Sequence, residues 1–120
     1  MNGRVTANHA VLDIGLRFQH RPDLAVEFVV DTGFIGFLTL PPAAIAALRF
    51  PFIRRIAANL AHDSTIHVSV HAAAIIWDGE EREVEVLATG SRPLLGTLLL
   101  DGHGLTVRFT EGGLVPVESL

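Results

Sequence analysis

The sequence predicts a mainly-β, closed, barrel-like domain, on three observations. Apolar and polar residues alternate along most segments, the two-residue period of half-buried strands. Turn-forming clusters recur at short intervals, as in sandwiches and barrels. Helix-compatible stretches are confined to two short runs, after Pro41 and after Gly96. At 120 residues, 49% apolar and 18% charged, the chain is long enough for one packed core and predicts a single domain over residues 1–120.

The elements follow in order. Leu12, Ile14, Leu16 and Phe18 fall on one side of a strand within Val11–Phe18, and His20-Arg21-Pro22-Asp23 turns it back. Leu24–Val30 is a second strand, ending at Asp31. Phe37–Leu40 is a short strand. Pro41-Pro42 can only begin a helix, Ala43–Leu48 continues it and Pro51 ends it. Ile56–Leu60 and Thr65–Ala74 flank a hairpin tip at Ala61-His62-Asp63-Ser64. Asp78-Gly79 is the strongest hairpin turn, set between Ile75–Trp77 and Val84–Leu87. After Leu94-Leu95-Gly96, Thr97–Asp101 forms a short helix closed by Gly102. Leu105–Phe109 and Leu114–Val117 are the last strands, around Gly112-Gly113. This amounts to about eight strands and two helices.

Composition excludes several function classes. With no cysteine there is no disulfide framework, no thiolate zinc site and no thiol nucleophile. The longest wholly apolar runs, such as Ala43–Leu48, are six residues, against about 20 for a membrane span. The net charge is −4 and no basic run exceeds Arg54-Arg55, so no phosphate-binding stripe for nucleic acid is expected. Met1-Asn2-Gly3-Arg4 has no signal-peptide pattern, and a cytoplasmic location is expected.

Asp31-Thr32-Gly33 is the sharpest chemical feature, because an apolar strand runs straight into it. Turn residues at a strand end are common in themselves. The chemistry this triplet allows is definite, however. A carboxylate on a tight loop can act as general base on water if a second carboxylate shares its proton. The glycine permits close backbone approach and the threonine hydroxyl can brace the loop. Leu94-Leu95-Gly96, followed by a short helix and a strand, is the second feature.

In this ordered combination the chain resembles the small bacterial retropepsin-like aspartic proteases. Val29–Pro41 looks like their active-site segment, and Leu94-Leu95-Gly96 with its helix looks like their hydrophobic-hydrophobic-glycine element. Trp77-Asp78-Gly79 and the strand after it also fit, and the likeness runs from about Val11 to Val117. The resemblance implies a closed acid-protease barrel, one lobe per chain, with Asp31 as the catalytic aspartate and Thr32 and Gly33 as its loop. It also implies a homodimer acting on peptide or protein substrates, a flap at Ala61, His62, Asp63 and Ser64, and support of the loop by Leu94, Leu95 and Gly96. Phe34 and Phe37 are candidate pocket walls. Three departures stand out: Phe34 where retroviral enzymes carry alanine, Thr97-Leu98 in place of a more polar pair, and Pro116, which removes a ladder donor from the last strand.

No second Asp-Ser/Thr-Gly triplet occurs, so a carboxylate dyad needs Asp31 of a second chain. Such a mechanism requires no metal and no cofactor. A metal site at His62, His67 and His71 is disfavoured, because on a strand His67 and His71 lie roughly 13 Å apart. No Gly-x-Ser-x-Gly elbow supports a serine hydrolase. The glutamates at 80, 81, 83 and 85 read as a solvated face beside a turn. Two other functions remain: a peptide-binding or protein-interaction module of the same fold without efficient turnover, and a subunit whose dimer is its whole role.

Overall fold

The computed structural model describes residues 1–59 and 64–120, with residues 58 and 59 described as backbone. Among the described residues are ten strands and two helices. β1 (Asn2–Thr6), β2 (His9–Arg17) and β3 (Leu24–Val30) form an antiparallel meander. β4 (Leu38–Leu40) leads into α1 (Pro42–Leu48). β5 (Phe52–Asn59), β6 (Thr65–Trp77) and β7 (Glu80–Ala88) form a second antiparallel set. β8 (Leu94–Leu95), α2 (Thr97–Leu100), β9 (His103–Leu105) and β10 (Leu114–Ser119) complete the chain.

β8 sits between β3, to which it is parallel, and β4, to which it is antiparallel, and β4 in turn lies parallel to β7. β2 pairs with β3 and, at its far end, with β6, so the ladder β2–β3–β8–β4–β7–β6 returns to β2. The alternation read in β2 is what buries Leu12, Ile14 and Leu16, which pack with Phe28, Leu38, Ile75, Val86, Leu95 and Leu99 in the main core. A smaller cluster of Val5, Ala10 and Val115 lies under β1 and β10.

Most expected elements are present, with adjusted ends. Thr65–Ala74 and Ile75–Trp77 are one continuous strand of 13 residues. Asp78 and Gly79 have φ of 51° and 82°, the two left-handed positions of the tight hairpin turn. β1 was not expected from the sequence. Only its Val5 is fully buried, and its place comes from pairing with β2 and β10 rather than from its own pattern. Conversely, the strand expected over Leu105–Phe109 stops at Leu105. The cause is Pro116: Thr106 N–H donates to Pro116 O (3.1 Å), but the proline has no N–H to return the bond. At the hairpin tip, Asn59 pairs with Thr65 and Ser64 is exposed, while Ala61, His62 and Asp63 lie outside the described residues.

Candidate active site

The Asp31 loop is held from below by β8. In the parallel ladder Val29 aligns with Leu94 and Val30 with Leu95. Val29 N–H donates to Pro93 O (3.0 Å) and Asp31 N–H to Leu95 O (2.9 Å), so the last turn of β3 cannot shift along its axis without breaking both. The loop then closes on itself. Gly33 N–H donates to Asp31 Oδ1 (2.9 Å) and Phe34 N–H to Asp31 O (3.1 Å). These bonds fix the carboxylate's direction through one oxygen and leave Oδ2 without a partner among the described residues. Asp31 is half-buried, while Thr32 and Gly33 are exposed.

The far side of the loop is clamped by the start of α2. Phe34 O accepts from Thr97 N–H (2.9 Å) and from the Thr97 hydroxyl (3.3 Å), Gly36 O from Leu98 N–H (3.1 Å), and Phe37 O from Gly96 N–H (2.9 Å). Backbone touches backbone here. A Cβ on Gly96 would stand 2.3 Å from Gly36 O and 2.6 Å from Phe34 O. Thr39, the one buried polar residue among the described residues, accepts from Leu94 N–H through its hydroxyl (3.2 Å) and ties β8 to β4. Leu95 is thus bonded to Asp31, Leu94 lies beside Val29, and Gly96 packs on the far side of the loop. Among the described residues the Thr32 hydroxyl makes no bond that braces the loop. Gly33 N–H and the α2 amides do that work, because Thr32 points into solvent and has no partner among the described residues.

Phe34 and Phe37 line a cleft of about 200 Å³ with Ile56, Val70, Leu87 and Leu98. Asp31 itself is not in that lining. Arg54 and Glu85 close one side of the cleft through two bonds of 2.7 and 2.6 Å, and the guanidinium holds the Glu85 carboxyl below its ordinary range. These two residues were not singled out from the sequence. Glu85 was read with its neighbours as a solvated face, which holds for Glu80–Glu83. No local pattern marks Glu85, since its partner comes from β5, two strands away.

His67 and His71 lie on β6, a strand as expected. His71 Nδ1 is 2.9 Å from Phe50 O and its Nε2 is 3.1 Å from Ser69 Oγ. Among the described residues no helix is long and apolar enough to cross a membrane.

The mainly-β fold that carries this loop has a structural counterpart. A retropepsin-like aspartic protease from Rickettsia conorii superposes with a TM-score of 0.65 over 100% of this chain and 92% of that one, at 14% sequence identity. The chain therefore has a retropepsin-like fold. No family profile matches the sequence, and no curated protein matches it.

Proposed function

We propose that this chain is one lobe of a homodimeric aspartic endopeptidase, its closed β-barrel presenting Asp31 to a second copy of itself in the cytoplasm. The observation that carries the reading is the Asp31 loop: one carboxylate, aimed by Gly33 N–H and locked by β8 and α2, on a fold shared with an aspartic protease. Asp31–Phe37 contains one carboxylate, so the second must come from the same loop of the partner copy. Thr32 and Ile35 of this loop are exposed, the latter 81% accessible, and so are free to meet that copy.

Two such carboxylates about 3 Å apart hold one proton between them. The charged one takes a proton from water, which attacks the peptide carbonyl. The protonated one hydrogen-bonds the carbonyl oxygen as it becomes tetrahedral. The proton then passes to the leaving amine, and both carboxylates return to the shared-proton state. Phe34 and Phe37 wall the neighbouring cleft, where a side chain of the extended peptide would rest.

Asp31→Asn keeps the size of the side chain and the Gly33 hydrogen bond but cannot take the proton. It should lower cleavage of an unstructured protein at least about a thousand-fold with the fold and dimer intact. Parental cleavage by that variant would end the peptidase reading in favour of a peptide-binding module of the same fold.

A further inference from the structure

A second, larger cleft of about 560 Å³ lies along the same strands as the small one. Its floor is Ala72–Ala74 of β6. One wall is Phe18 stacked on Phe50, with centroids 5.6 Å apart. The Arg21 guanidinium lies 4.2 Å over the Phe18 ring and donates to Leu48 O (2.8 Å), which fixes it at the rim. Arg49 stands at the end of α1 with φ 58° and ψ 44°, a left-handed position unusual for a long side chain. Three of the chain's nine cations, Arg17, Arg21 and Arg49, line this cleft in a molecule of net charge −4. Arg17 is answered by Asp23 and Glu81, whereas Arg21 and Arg49 have no carboxylate partner among the described residues. The lining carries one carboxylate of its own, Glu83.

The two clefts meet at one cross-strand row. Ala72, in the floor of the large cleft, pairs with Glu85 at the edge of the small one. Val70, Ala72 and Ala74 share a face of β6, and Val70 to Ala74 is roughly 13 Å, the reach of about four residues of extended chain. We propose that the large cleft is a distal subsite for an acidic side chain of the same peptide, about four residues from the side chain seated between Phe34 and Phe37. Arg21 and Arg49 bind its carboxylate while the peptide stem lies on Ala72–Ala74. This proposal rests on the peptidase reading for the identity of the ligand.

The test uses the non-cleaving Asp31→Asn protein and rhodamine-labelled dodecapeptides, rich in leucine, valine and serine, with one glutamate or glutamine walked along them. Anisotropy should show glutamate binding about five-fold tighter than glutamine at one position, near four residues from the preferred apolar one. Arg21→Gln combined with Arg49→Asn should erase that preference and leave the glutamine peptides unchanged; asparagine suits the left-handed backbone. Arg21→Gln combined with Arg49→Glu, a separate variant, should invert the preference. No binding, no position-dependent effect of glutamate, or an effect that survives the double variant would each overturn the subsite. Digestion of the same peptides by the parent protein decides the peptidase reading separately. Absence of cleavage with the glutamate preference intact removes that reading and leaves the subsite, and the reverse result removes the subsite alone.

Discussion

Replacing Gly96 by alanine should damage this protein far more than one methyl group suggests. The added Cβ would stand 2.3 Å from Gly36 O, 2.6 Å from Phe34 O and 2.6 Å from Phe34 Cδ2. Ordinary contact begins near 3.4 Å, so two backbone oxygens must retreat by about 1 Å, and neither belongs to a flexible side chain. Overpacking of this kind costs about 1–3 kcal/mol. The retreat also weakens the bonds from Gly96, Thr97 and Leu98 amides to the loop, each worth about 1 kcal/mol net. A total of about 3 kcal/mol, or roughly 10–15 °C in Tm for a domain of this size, is expected. Gly104→Ala is the control: its Cβ would meet only Leu120 Cδ2 at 3.6 Å, and its effect should stay within about 0.5 kcal/mol. Denaturant melts of both variants beside the parent, with cleavage measured on the same samples, make the comparison. If Gly96→Ala melts with the control, the close approach of the loop to β8 is not what holds Asp31 in place.

Three further outcomes are expected. Because Arg54 holds Glu85 below its ordinary 4.5, the pair contributes fully above that pH and fades as pH falls through the depressed value. Glu85→Gln should therefore flatten the loss of stability as the pH falls below 4.5 in denaturant melts, and the difference should shrink in 1 M salt because both side chains are partly exposed. A steeper acid loss in the variant would contradict the pairing. Ala7 and Asn8 turn β1 into β2 with φ of 50° and 64°, so Ala7→Asn, which tolerates that region, should stabilise by about 0.5–1 kcal/mol; a lower melting temperature would refute the strain. Sedimentation should show an active species of twice the chain mass, and activity that stays entirely with a monomer at all concentrations would refute the shared site.

Most strands and the two helices were legible in the sequence because each is set locally. Alternation in β2 decides which side of the strand is apolar, Pro41-Pro42 can stand only in a helix's first turn, and Asp78-Gly79 accepts two positive φ angles. What the sequence could not show were relations between segments far apart in the chain. β1 exists because β2 and β10 give its backbone partners, which no pattern within Asn2–Thr6 announces. The pairing of Arg54 with Glu85 depends on the β5–β6–β7 register, since both residues look like ordinary surface charges in isolation. Pro116 was legible as a missing donor, but only the register showed that its loss falls opposite Thr106 and ends β9. The Asp31 triplet suggested a chemistry, and tertiary structure decided how the carboxylate is aimed. Backbone bonds from β8 and α2, more than sixty residues further along the chain, fix the loop because Gly96 has no side chain to hold them apart.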